Sequence, residues 1–218
     1  MCSSLNHSSL ENEQDSLFEG QIISEILRRS KKKCKYYYFR TEQELKHILA
    51  LFSDSDYRYL HLSCHGNEAC VSTTFDEIPF ARFGDLLRPY LRQRRLFVSA
   101  CSAANSHFAD CVMPKSGCYS ILGPQEDIRF SDAVILWSSF YHVMFRVDSD
   151  AMKYAVIRDK AQELANLYRV PLTLIDHEHT PEKPYSLYKI APGDPFSFLV
   201  GMFPSGEMGG LEDALNVS

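Results

Sequence analysis

Leu96-Phe97-Val98-Ser99-Ala100-Cys101-Ser102 is a compact apolar run that stops at a cysteine. It is short for a helix, and nearly continuous apolarity over such a length is the pattern of a strand covered on both faces. An earlier segment ends in a similar way. From Tyr57 to Cys64 the chain alternates Tyr57, Tyr59, His61 and Ser63 against Arg58, Leu60, Leu62 and Cys64, and His65 and Gly66 follow, the glycine closing the strand. A third run, Cys118 to Leu122, is closed by Gly123-Pro124.

Helical patterns separate these strands. Phe83, Leu86, Leu87, Tyr90 and Leu91 trace one apolar face of a helix that kinks at or tolerates Pro89. Thr41 and Glu44 have capping-box spacing and predict a helix from there to about Phe52, after a short aromatic strand Tyr36-Tyr37-Tyr38-Phe39-Arg40. Residues 16–29 read as a helix followed by basic residues, 130–145 and 150–168 as two more, Val71 to Pro79 as a short strand-and-turn excursion, and 171–175 and 185–190 as late strands. Strands alternating with helices predict an α/β fold: a three-layer α/β/α sandwich with a mainly parallel central sheet. Residues 1–16 are polar and read as a flexible N-terminal segment, 17–190 as the single domain, and 191–218, with its prolines and glycines, as an irregular tail.

Composition narrows the function classes. The 218 residues, 45% hydrophobic, support one substantial core. A net charge of −5 gives no general attraction to nucleic acid or anionic lipid, so proteins are the expected partners. No apolar stretch is long enough to span a bilayer and no leader pattern opens the chain. Seven cysteines without a compact disulfide spacing fit a reducing cytoplasm, which would keep a reactive thiol free.

In a parallel sheet, reactive groups collect beyond the carboxyl ends of the strands. If the two strands ending at His65 and Cys101 are neighbours, an imidazole and a thiol emerge side by side, as nucleophilic catalysis requires. Cys64, Cys111 and Cys118 read as inert packed thiols, His61 as a packed or supporting histidine, and His107 as a helix-surface residue. Cys64, His65 and Cys70, with Cys111 and Cys118, are zinc-ligand types but lack a zinc spacing, so no metal or other cofactor is expected. The run Arg28, Arg29, Lys31, Lys32, Lys33 and Lys35 reads as a solvated basic helix end, with polyanion binding as the alternative.

His-Gly after one apolar strand and Ser-Ala-Cys after the next resemble the caspase-like cysteine peptidases, specifically their CHAT branch. Gly123, Asp132 and Trp137-Ser138-Ser139-Phe140-Tyr141 are similar to the glycine, aspartate and aromatic helix that follow the catalytic cysteine there. The resemblance covers roughly residues 57–145, while Pro124 to Phe130 depart from the usual pattern in a loop that helps to form the family's substrate pocket. It implies a caspase-like sandwich and a cysteine endopeptidase with His65 as base and Cys101 as nucleophile. Gly66 and the backbone of Cys101 would form the oxyanion hole. It also implies a dedicated protein substrate, an activating protein partner, and service in bacterial signalling or defence. Asp132 has two readings, a pocket acid favouring a basic substrate side chain or an acid at a helix start. A catalytically silent caspase-like binding or scaffolding module is the rival for the whole chain.

Overall fold

The computed structural model describes residues 18–148, 152–178, 180 and 183–193. The segment 1–16 and residues 194–218 of the tail therefore lie outside the described residues. Helix α1 spans Glu19–Arg29 and α2 spans Glu42–Ser53. The capping box forms with one change. Thr41 Oγ1 accepts the Glu44 N–H at 3.2 Å, a cap worth about 1 kcal/mol, while the Glu44 carboxylate takes the Arg40 N–H at 2.6 Å instead of that of Thr41.

Strand β1 (Tyr59–Ser63) is followed by a small antiparallel sheet of β2 (His65–Gly66), β3 (Cys70–Ser72) and β4 (Glu77–Pro79). Then come α3 (Phe80–Leu87), β5 (Arg95–Ser99), α4 (Ser106–Val112), β6 (Ser120–Pro124), α5 (Phe130–Val147), α6 (Tyr154–Tyr168), β7 (Leu172–His177) and β8 (Tyr185–Ile190). Pro89 ends α3, and the chain passes into a single 3-10 turn over Arg88–Tyr90.

The main sheet has the order β1-β5-β6-β7-β8. β1 pairs in parallel with β5, and β5 with β6, whereas β7 runs antiparallel to both its neighbours. Four of the five strands thus point one way, with β7 reversed between β6 and β8. Alternate residues feed two cores. Leu96, Val98 and Ile121 pack with α2, α3 and α4, while Phe97, Leu122 and Leu174 pack with α1, α5 and α6, which gives an α/β/α layering. On the second face Phe97 meets Trp137, Phe140 and Tyr141 at ring-centroid distances of 6.0, 5.2 and 5.6 Å. Such pairs add about 0.5–1.5 kcal/mol each beyond buried area.

Gly123-Pro124 does not close the third run but forms the end of β6, paired with Thr173 and Leu172, and two further local expectations fail. Tyr36 to Phe39 form no strand. Two of the side chains are committed elsewhere: the Tyr36 ring lies over Gly20, where a Cβ would come within 2.9 Å, and the Tyr38 ring packs at a tilt against Phe18 at 4.7 Å while its hydroxyl hydrogen-bonds Thr74 at 3.1 Å. The run therefore stands off from the free edge of β1, with a cavity between. The other failure is at Gly66, which does not close β1. The strand stops at Ser63, and His65 and Gly66 turn into the small sheet by pairing with Ser72 and Val71. Among the described residues, no helix is long and apolar enough to cross a membrane.

Candidate active site

The register of the main sheet sets the site. Ser63 lies opposite Ser99 in the parallel β1/β5 ladder, and the Cys64 N–H extends it by donating to the Ser99 carbonyl at 3.1 Å. His65 and Cys101 each stand two residues further on, at the carboxyl ends of adjacent strands, and both border one cavity. Each is partly buried. Burial holds the His65 imidazole below its ordinary pKa of 6.5, which favours the neutral form that can accept a proton.

Cys101 is followed by an abrupt turn. Ser102 adopts a left-handed φ of 52°, costly for a residue other than glycine. The turn is pinned by Ser102 Oγ donating to Asp127 at 3.1 Å and the Ser102 N–H donating to the Glu126 carbonyl at 3.4 Å. The loop between β6 and α5 therefore lies over the cysteine, whose thiol donates to the Ile128 carbonyl at 3.8 Å. Gly123 lets β6 lie close to β5 and to the turn after it: a Cβ there would meet the Val98 carbonyl oxygen at 2.7 Å and the Ala104 Cβ at 2.9 Å. Among the described residues, no hydrogen bond joins Cys101 to His65.

Two backbone donors are free near the thiol. The Cys101 N–H takes part in no hydrogen bond among the described residues. At Gly66 the pairing pattern decides. Asn67 N–H donates to the Cys70 carbonyl at 3.0 Å, so alternation in an antiparallel ladder makes Gly66 and Val71 the non-bonded pair and turns the Gly66 N–H away from β3. Gly66 itself packs against Ala100 and Cys101, where a Cβ would sit 3.2 Å from the Ala100 Cβ and 3.4 Å from the Cys101 carbonyl oxygen.

Directly beneath lies a buried polar cluster. Glu19, in the first turn of α1 and 5% exposed, accepts from Ser99 Oγ at 2.8 Å and Ser63 Oγ at 3.1 Å on one oxygen, and from His61 Nε2 at 3.1 Å on the other. His61 Nδ1 meets the Tyr141 hydroxyl at 2.9 Å. Burial, then the Glu19 and Cys34 charges, push the Tyr141 phenol well above its ordinary value, so it stays protonated. The Glu19 carboxylate can only accept, so His61 Nε2 carries a proton toward it. Each member is satisfied, as a buried network must be to avoid a penalty.

The remaining expected residues fall as follows. His61 is the packed, supporting histidine just described, and His107 is exposed on α4. Cys64 and Cys118 are pushed up to about 12 by burial, the ordinary state of inert thiols, and the partly buried Cys111 is raised by the same cause. Among the described residues, no group of three or more metal-ligating side chains converges. Asp132 is exposed in the first turn of α5 and does not line the cavity, whereas Ile128, Phe130 and Ala133 do. Lys32, Lys33 and Lys35 from the basic run also border the cavity.

Sequence reasoning missed Glu19, whose partners are on distant strands. The available signal was polar Ser63 and Ser99 at the ends of apolar strands, which required a buried partner. Compared with known proteins, the chain matches no family model and no curated sequence.

Proposed function

We propose that this protein is a cysteine endopeptidase of caspase-like architecture, in which Cys101 is the nucleophile and His65 the general base. One observation carries the reading: the β1/β5 register sets His65 and Cys101 level at the carboxyl ends of neighbouring parallel strands, on one cavity, beside the unbonded N–H groups of Gly66 and Cys101.

In this reaction the Cys101 proton passes to His65 as Sγ bonds to the substrate carbonyl carbon. The carbonyl oxygen takes the negative charge and is held by the Gly66 and Cys101 N–H groups, each such donor being worth roughly 2.7–4 kcal/mol in a catalytic site. Collapse breaks the C–N bond, and His65 returns the proton to the leaving amine. A water molecule, deprotonated by the same imidazole, then hydrolyses the thioester, releases the carboxylate and restores the thiol.

The rival is a catalytically silent binding module, favoured by the thiol donating to Ile128 and not to His65. The test is incubation with a proteome-derived peptide library and a peptide-based thiol-reactive probe, comparing wild type with Cys101→Ala. New peptide ends and labelling of Cys101, both lost in the variant, support the peptidase. A folded wild type producing neither supports the silent module.

A further inference from the structure

The geometry points to a substrate class: the cavity at Cys101 receives an extended, acidic stretch of a protein that carries one large apolar side chain. This rests on the reading of Cys101 and His65 as the reacting pair. The cavity, of about 380 Å³, is within the range of sites that enclose a ligand group. It runs from Cys101 along β1 to the stand-off segment 32–39, and its walls are largely aromatic and aliphatic, with Tyr36, Phe39, Leu60, Ile128 and Phe145 among them. Such walls favour an apolar side chain and would strip water from a charged one.

Charge decides the rest. Among the described residues the only carboxylate lining the cavity is Glu19, and its two oxygens already accept from Ser63, Ser99 and His61. No uncommitted acid therefore awaits an arginine or lysine. Lys32, Lys33 and Lys35 line the wall that stands off from β1, Lys32 resting 4.8 Å over the Phe145 ring while Lys33 and Lys35 are exposed. In a chain of net charge −5, three lysines along one wall of the cavity are a local reversal of sign, and they complement an acidic flank. The interior thus selects the apolar side chain and the lysine rim selects the residues around it.

The test uses the full chain and three peptides of equal length bearing one thiol-reactive carbonyl group: leucine next to that group with glutamate flanks, leucine with lysine flanks, and arginine with glutamate flanks. The rate of Cys101 modification is read by intact mass. The first peptide is expected to react at least about tenfold faster than either other, a difference of about 1.4 kcal/mol. Its advantage over the lysine-flanked peptide shrinks as ionic strength is raised from about 0.01 to about 1 M, because exposed charges are then screened. Lys33→Glu combined with Lys35→Glu, both at exposed positions, reverses the flank preference. Fastest reaction of the arginine peptide, or a flank preference indifferent to salt and to the double substitution, overturns the inference and leaves Cys101 as the nucleophile. Failure of all three peptides to modify Cys101 in folded protein overturns the peptidase reading and this inference with it.

Discussion

Ser63 and Ser99 face one another across the β1/β5 ladder and donate to the same oxygen of Glu19, at 3.1 and 2.8 Å. The start of α1 is thereby fastened to the last residues of β1 and β5, two residues before His65 and Cys101.

Glu19→Ala is expected to destabilise the fold by about 3 kcal/mol or more. It strands the buried Ser99 hydroxyl, the partly buried Ser63 hydroxyl and the His61 Nε2–H without an acceptor, and each unsatisfied buried group costs about 1–3 kcal/mol. Glu19→Gln keeps one acceptor oxygen and should lose less. Urea denaturation midpoints at equal m-value measure both, and a shift under about 1 kcal/mol for the alanine variant would contradict the network's structural weight.

The thiols should separate sharply. Cys101→Ala is expected to abolish peptide cleavage with unchanged unfolding midpoint, while Cys64→Ala and Cys118→Ala alter stability by about 1 kcal/mol and leave activity per folded molecule intact. Burial pushes Cys64 and Cys118 up to about 12, so both should resist iodoacetamide at neutral pH while the protein is folded. Peptide mapping of alkylated sites checks this.

The pH dependence follows from His65. Its pKa is lowered by burial from the ordinary 6.5, and in the proposed reaction the neutral imidazole is the base. Activity should therefore be at its plateau at neutral pH and fall as acid converts the base to its cation, with the acid limb of kcat/KM lying below pH 6.5. The same shift acts on stability. As pH drops below 6.5 the unfolded chain binds the proton first, so the folded state loses ground until folded His65 is itself protonated. An acid limb above pH 6.5 in wild type, or one retained in an active His65→Ala variant, would assign the base elsewhere.

At Gly66 an added Cβ would press on Ala100 at 3.2 Å and on the Cys70 carbonyl oxygen at 3.2 Å. The small sheet must then give by a few tenths of an ångström, and the Gly66 N–H moves with it. Gly66→Ala should lower kcat by about tenfold or more with KM little altered, the pattern of a contact made only in the transition state. A change confined to KM would place Gly66 in substrate binding.

Much of this was legible because it depends on local pattern. β8 occupies the segment read as its strand, and β1, β5 and β6 differ from theirs by one or two residues, since alternation and apolar runs encode burial directly. The same reading put His65 and Cys101 just beyond the ends of two strands, but that those strands are parallel neighbours entered it only as a condition, which the β1/β5 ladder meets. What was not legible depends on distant partners. Tyr36 to Phe39 have the composition of a strand, yet α1 and Thr74 claim their rings and hydroxyl. The reversal of β7 is a pairing with β6 across the intervening α5 and α6, which no short window contains. Between the two readings of Asp132 the sequence could not choose; α5 begins at Phe130, so the carboxylate is an exposed acid of its first turn and does not line the cavity.

The parallel crossover from β1 to β5 gives the site a particular place in the folding reaction. His65 and Cys101 are brought together only when the β1/β5 ladder forms, a non-local pairing that must first meet the entropy of closing the intervening chain. The Cys64 amide, bonded to the Ser99 carbonyl, stands at that junction. Its hydrogen exchange should proceed through opening of the whole domain and report global stability. The proposed reacting pair would then be assembled whenever the molecule is folded, and dispersed only when it is not.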